Sequence, residues 1–536
     1  MAYFTGEPIP NVPTKGGIDV ITFETSLNRR QFLKRTSSLG AALALPLLRT
    51  RTAFAQKLPA DITGMNASQL SAAIRDRQVR CVEVMQAYLE RIHRYNPVYN
   101  AIVSMVDEDE LIERAERADR ALDQDEYWGW MHGMPHAVKD LANAKGLETS
   151  EGSRIFAGTI ADEDDLHIAR IRAQGAIFIG KTNTPEFGFG SQSYNDVHGT
   201  TRCAYDPALT AGGSSGGAAS GMASHMLPIA DGSDMMGSLR NPGAFNNVVG
   251  FRPSQGRVPS VPSNDLYYQQ LATAGPMGRS VEDTIRLLGT MAGYDSRAPL
   301  SLRDEIPAYD AFRRVDFAGF RVGWMGDYEG YLATEPGLLD LCKRSLEGIS
   351  THGVVVKDCM PAYDMARLWQ TWLTLRHWSV SGMKALYDHP ETKKLLKPEL
   401  IWEIEGSFDM PASRVAEAAI ARADWYRALH ELFERYDILA LPTAQVFPFS
   451  ADTHWPKSIN GRAMDTYHQW MEVVIAATLG GLPVVNLPAG FDGRGRPMGM
   501  QFMGRMGDDR KVLEFAMAYE AATDFLDRRP ELTESV

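Results

Sequence analysis

Cysteine is scarce: Cys81, Cys203, Cys342 and Cys359 are the only four in 536 residues. No two form a Cys-x-x-Cys pair, so neither a zinc site nor a disulfide framework is indicated, and one disulfide stays open for an exported chain. A basic excess is also missing. Fifty-five Lys and Arg stand against 67 Asp and Glu, for a net charge of −12, which argues against a nucleic-acid partner. There is no internal repeat, no low-complexity tract and no obvious linker. The length suffices for a large core, and sustained helix–strand alternation points to one large α/β unit rather than several domains.

The first 55 residues read as a leader. Asn28-Arg29-Arg30-Gln31-Phe32-Leu33-Lys34 approximates a twin-arginine export signal. The apolar segment Thr36 to Leu48 follows, too short to span a bilayer, and Ala53-Phe54-Ala55 offers a small-x-small cleavage site. Asn28 stands where Ser or Thr is usual. Cleavage after Ala55 removes seven basic and three acidic residues and leaves a net charge of −16. The expectation is a periplasmic or secreted protein that has met the twin-arginine translocation machinery.

What the chain does have is a dense run of glycine and serine, Ala211 to Arg240. Four glycines surround Ser214 and Ser215, which suits a tight loop and not a helix or strand interior. Ala218 to Met226 reads as a short helix and Leu227 to Ala230 as a strand, leading to a second loop that presents Ser238. A flexible linker does not alternate in this way with apolar packing segments. The pattern suggests a nucleophile loop beside a pocket of backbone amides for an oxyanion.

The stretch resembles the amidase signature family, in which a Gly-Gly-Ser-Ser-Gly-Gly loop precedes Gly-Ser/Thr-Asp-x-Gly-Gly-Ser-Ile-Arg. Here the elements are Gly212 to Gly217 and Gly232-Ser233-Asp234-Met235-Met236-Gly237-Ser238-Leu239-Arg240, and Ser238 lies 24 residues after Ser214. The family's upstream lysine element appears as Gly133-Met134-Pro135-His136-Ala137-Val138-Lys139-Asp140. The resemblance covers residues 62–525, with 300–440 as a variable helical region over the substrate cleft. It implies a single domain in which a mixed, twisted central β-sheet is covered on both sides by α-helices.

By the same resemblance, Ser238 attacks an amide carbonyl, Ser214 follows a cis peptide bond and relays protons, and Lys139 is the final base and then the acid. A free lysine titrates near 10.4, so Lys139 must be buried away from carboxylates to act this way. Adjacent Asp140 should therefore face the other side of the strand. Met235, Met236, Gly237 and Ser238 supply the oxyanion amides, with Met235, Met236, Gly237 and Ser215 lining the substrate site. Gly213, Asp234 and Arg240 hold the loops. Met236 replaces a usual glycine, which narrows the cleft or alters the loop. No metal or cofactor is implied. The partner is a small or medium amide, aryl or partly apolar, and a homodimer is left open.

Elsewhere the periodicity predicts helices over Asn66 to Tyr95 (two, ended by Asn96-Pro97), Glu110 to Leu122, Leu166 to Ala173, Val281 to Ala292, Val473 to Leu479 and Asp509 to Ala522. Strands are expected at Ala101 to Val106, Pro135 to Val138, Ala176 to Ile179, Phe320 to Trp324, Asp437 to Pro442, Val484 to Pro488 and Met498 to Met503. Phe245, Val248, Val249 and Phe251 should pack beneath the nucleophile loop. Residues 330 to 430 are helical and rich in tryptophan, one or two of which should line an apolar pocket.

Three motifs mislead. Gly175 to Thr182 satisfies the phosphate-loop pattern, but its middle residues Ala-Ile-Phe-Ile should themselves be a strand. His132-x3-His136 has helical metal spacing, yet Gly133 and Pro135 forbid the helix. Gly-x-Ser-x-Gly occurs twice around Ser214 and Ser215, which raises a serine esterase or lipase of α/β-hydrolase type. That elbow needs a preceding strand, and Pro207 argues against one at Tyr205 to Thr210. Cys203 is read as packing, not as a nucleophile. The other alternative is a catalytically impaired, amidase-like binding protein.

Overall fold

The computed structural model describes Pro59 and residues 61–534 apart from Gln269. The expected leader over 1–55 lies outside the described residues. Short apolar runs bounded by glycine, proline or polar turns become strands. They are β1 Ile102–Val103, β2 Pro135–Lys139, β3 Ile177–Thr182, β4 Ala230–Asp234, β5 Val249–Arg252, β6 Thr273–Gly278, β7 Arg321–Trp324, β8 Val355–Asp358, β9 Ile438–Pro442, β10 Val484–Phe491 and β11 Pro497–Met503. Eight form one sheet in the order β8-β7-β9-β11-β10-β5-β6-β4. β7 runs parallel to β8 and β9. The remaining neighbours are antiparallel, so the sheet is mixed as expected. A smaller sheet, β1-β3-β2, carries the lysine.

Alternation along β11 shows how helices cover both faces. Phe502 points to the helix Asp509–Ala522, with its ring 4.9 Å from Phe515 and 5.4 Å from Tyr519. Its neighbour Gln501 points the other way and accepts from Arg240 Nη1 at 2.7 Å, beside the helix Ile475–Gly480. Phe245, Val248, Val249 and Phe251 are all buried in the main core.

Two expectations need correction. The second N-terminal helix does not stop at Asn96-Pro97. It runs Cys81–Tyr99 and closes on Asn100 in the left-handed conformation at φ 48°. Pro97 falls in the last turn, so the i−4 bond it lacks and the ring's crowding of the preceding turn disturb only the helix end. Asp206–Thr210 is a strand despite Pro207, paired with Arg202–Cys203 in a two-stranded ribbon outside the main sheet. A proline is tolerated at such an edge, and the ribbon cannot serve as the central strand of a hydrolase elbow. All four cysteines are free, which closes the disulfide question.

Candidate active site

Lys139 ends β2, and alternation turns it and Asp140 to opposite sides. Asp140 accepts from the Ser150 amide at 3.0 Å, the Ser150 hydroxyl at 2.6 Å and the Gly152 amide at 3.1 Å, away from the lysine amine. Lys139 is 1% exposed. Its Nζ lies 2.8 Å from Ser214 Oγ, 2.8 Å from Ser215 Oγ, 3.1 Å from Ser233 Oγ and 3.3 Å from the Ser233 carbonyl. Among the described residues it makes no ion pair. Burial lowers its pKa from 10.5 to about 7, against the opposing fields of Asp231 and Asp234. The amine is thus able to exchange a proton near neutrality.

The loop that brings the serines here depends on close packing. The Gly213–Ser214 peptide bond is cis. Ser215 precedes the helix Gly216–Ala223, every residue of which is buried. A Cβ on Gly217 would lie 2.3 Å from the Asn183 amide nitrogen and 2.5 Å from the Ala101 carbonyl oxygen, so only glycine lets this helix approach β1 and the end of β3 so closely.

Ser215 does not line a substrate pocket as expected. It is fully buried, its hydroxyl contacts the lysine amine, and its amide donates to the Ser238 carbonyl at 3.2 Å. It supports the lysine and ties one serine loop to the other. Gly237 is also corrected. Its amide donates to Asp234 Oδ1 at 3.0 Å, which engages it within the loop. Among the described residues, no hydrogen bond takes the amides of Met235, Met236 or Ser238, so of the four expected oxyanion amides these three are unengaged. Ser238 is 8% exposed, against 2% for Ser214, and its hydroxyl is unbonded among the described residues.

Met236 adopts an ordinary backbone conformation. The left-handed residue in the loop is Gly237, at φ +81°, and a Cβ there would lie 3.0 Å from both Val474 methyls. The glycine that the loop geometry requires is therefore retained one position later. Met236 packs half-buried against the core with Met235.

Asp234 anchors the loop. Its carboxylate accepts from the amides of Gly237 and Leu239 and from Arg240 Nε and Nη2 at 3.0 and 2.9 Å. Arg252 Nη1 lies 3.5 Å from Oδ1. Burial opposes this charge, but Arg240, then Arg252, hold the carboxyl well below the usual range. Arg240 also reaches the Val474 carbonyl, Thr478 and Gln501, which links the nucleophile loop to β11.

Gly213 is equally tied, with Ser191 Oγ donating to its carbonyl at 2.8 Å. Cys203 is buried with Sγ 3.1 Å from the Phe245 carbonyl oxygen, and burial pushes its thiol up to about 12, the state of a packing residue. His136 pairs with Asp231 at 3.0 Å, whereas His132 faces the Ala118 carbonyl at 2.9 Å, so the two histidines do not converge. Lys181 of the false phosphate loop is buried and donates to the Ala142 carbonyl.

Some neighbours were not singled out from sequence. Asp231 accepts from the Lys139 amide at 3.3 Å through both oxygens, and Ser233 contacts the amine. Both lie on β4 two residues apart, hence on one face, a signal available from the strand period. Arg376 and Glu403 could not be found in this way. Arg376 Nε donates to Glu403 Oε1 at 3.0 Å, its Nη1 touches Met235 Sδ, and its guanidinium covers the Phe189 ring at 4.4 Å. Tyr467 donates to the same Glu403 oxygen at 2.7 Å. Burial opposes the Glu403 charge, but Arg376, a hydrogen bond from His377 and the fields of His468 and His377 together hold the carboxyl well below its usual range.

Trp369 and Trp372 wall this ionic cluster, with rings 5.2 and 6.3 Å from His468. Trp402 meets His468 edge-on at 5.8 Å but remains 38% exposed, and Trp425 is core. Glu403→Ala leaves Arg376 buried without its partner. The expected loss is about 3–5 kcal/mol of unfolding free energy in urea titration, with Glu403→Gln recovering part of it.

The amidase family model matches residues 83–513. An acylamidase of Rhodococcus erythropolis is 29% identical over 470 residues, spanning 87% of this chain and 97% of that protein. A glutamyl-tRNA(Gln) amidotransferase subunit, from Symbiobacterium thermophilum, is 31% identical, spanning 88% and 99%. The crystal structure of a bacterial aryl acylamidase superposes with a TM-score of 0.80 at 26% identity, covering 86% of this chain and 98% of that one. Fold and relatives together define an enzyme that hydrolyses C–N amide bonds. The chain belongs to the amidase signature family.

Proposed function

We propose that the protein hydrolyses a small or medium carboxylic amide, with an aryl or partly apolar acyl side, to the carboxylate and ammonia or an amine. Ser238 Oγ attacks the carbonyl carbon while its proton passes through Ser214 Oγ to the neutral Lys139 amine. The tetrahedral oxyanion takes hydrogen bonds from the amides of Met235, Met236 and Ser238. As the C–N bond breaks, the proton returns through Ser214 to the leaving nitrogen and leaves an acyl ester on Ser238. Water then attacks the ester by the same relay. Catalytic hydrogen bonds are often loose in an empty site and tighten when substrate enters, which accommodates the unbonded Ser238 hydroxyl.

One observation carries this reading: a buried amine set among serine oxygens and paired with no carboxylate. Phe189, Met235 and Met236 near the loops support an apolar acyl group. Hydrolysis of aryl, alkyl and peptide amides by the purified protein, read as released ammonia or amine, tests the class. Mass spectrometry for a fluorophosphonate adduct tests Ser238, and a protein that turns over none of these amides and takes no adduct refutes the proposal. The resemblance of residues 28–55 to an export signal supports a further reading, hydrolysis in the periplasm or outside the cell, which cell fractionation checks.

A pH profile follows from Lys139. Its amine is the active base when neutral, so kcat/KM rises with pH through about 7 and then levels. A profile flat from pH 5 to 9 contradicts a lysine base.

A further inference from the structure

Two residues beside the lysine lie outside the sequence elements that marked the site. His136 fills an unspecified position of the lysine element, and Asp231 stands just before Gly232, which opens the second serine element. The fold joins them. Asp231 is fully buried, and both its oxygens accept from the Lys139 backbone amide at 3.3 Å. His136, also fully buried, meets Asp231 Oδ1 through Nε2 at 3.0 Å. Its Nδ1 has no hydrogen-bond partner among the described residues. A proton on Nδ1 would be buried without an acceptor, so the ring is the neutral tautomer that donates through Nε2. It steadies the carboxylate without cancelling its charge. Two residues further along the same face of β4, Ser233 touches the lysine amine.

The other charged groups packed around the lysine have different surroundings. Asp234, also on β4, is matched by Arg240 and Arg252. Asp140, which follows β2, accepts from Ser150 and Gly152 and lies 3.9 Å from Lys181 of β3. Asp165 and His167, at the start of the helix Leu166–Ala173, make no ion pair among the described residues, and burial raises the Asp165 carboxyl to about 6. No lysine or arginine side chain pairs with Asp231 among the described residues. Of the two carboxylates whose fields favour the protonated lysine, Asp231 has the larger effect.

We propose that Asp231 and His136 are a positioning pair for the catalytic lysine, the uncancelled carboxylate charge fixing the pH at which the relay begins to work. The inference rests on Lys139 being the base. A carboxylate near an amine favours the ammonium form, so removing its charge lets the amine lose its proton at lower pH.

The pH profile of kcat/KM on one accepted amide tests it, for the wild type, Asp231→Asn and His136→Gln. In Asp231→Asn the rising limb is expected to move about one pH unit to the acid side. The plateau should fall about threefold, because the amine is then a weaker base. His136→Gln keeps a neutral donor for the carboxylate, so its limb should stay where the wild-type limb lies. Asp231→Ser, smaller and also uncharged, should show the same displacement as Asp231→Asn, and it carries the test if the asparagine variant does not fold by circular dichroism.

A purely structural role lowers the rate equally at every pH. A limb that stays in place, or moves to higher pH, in the uncharged variants therefore overturns the proposal, as does failure of both to fold. A His136→Gln limb displaced as far as that of Asp231→Asn removes His136 from the pair. A wild-type profile with no rise through about 7 instead removes the lysine base, and this inference with it.

Discussion

Ser238→Ala is expected to lower kcat/KM for amide hydrolysis by about four powers of ten or more, because a nucleophile in a coupled catalytic unit has no substitute. Lys139→Ala and Ser214→Ala should each fall in the same range, and the double and triple variants should lose little more than the singles. This non-additivity is the diagnostic result. If each side chain made an independent contribution, the losses would multiply. In the proposed relay, Ser214 without Lys139 has nowhere to send a proton, and Lys139 without Ser214 cannot reach the nucleophile. Single-turnover kinetics of the purified variants, with circular dichroism to verify folding, check it. A Ser238→Ala protein that keeps the wild-type rate rejects the assignment. Retained activity after replacement of the downstream histidines separates this chemistry from a Ser-His-Asp hydrolase.

The second large effect is on stability. Asp234→Ala removes the one carboxylate shared by Arg240 and Arg252, both fully buried. It also frees the amides of Gly237 and Leu239. Removing one partner of a buried ion pair costs about 3–5 kcal/mol, because an uncompensated charge stays in a low-dielectric interior. With two arginines affected, the upper part of that range is expected in denaturant titration. Asp234→Asn keeps the acceptor shape on one side and should lose less. Activity should fall further than stability alone requires, since the same carboxylate sets the Gly237 turn that presents the Ser238 loop. An Asp234→Ala protein with unchanged unfolding midpoint and rate would contradict this account of the loop.

Local sequence determined a great deal. The two serine loops, their 24-residue spacing and the upstream lysine were legible because glycine density and motif order survive without knowledge of the fold. The helices Leu166–Ala173 and Asp509–Ala522 matched their predicted limits, Gly175 following the first and Gly507 preceding the second. The opposite orientation of Lys139 and Asp140 followed from the two-residue period of a strand. Pro97 and Pro207 misled because a proline's cost depends on position. Each sits at the margin of its element, Pro97 in a final helical turn and Pro207 in a two-stranded ribbon outside the main sheet, so little structure depends on the missing donor.

Other features could be decided only by tertiary structure. Whether Ser215 faces a substrate or the lysine depends on how its loop meets β2 and β4, which carry Lys139 and Ser233. The assignment of Gly237 depends on where the Asp234 carboxylate lies, not on residue type. Arg376, on a helix distant in sequence from Met235, reaches it through packing and is itself held by Glu403 from another helix, which no local period encodes. The lysine's depressed affinity for its proton is the clearest case. Any lysine has the same amine; only the surrounding fold removes water from it, supplies serine oxygens and keeps every carboxylate out of contact.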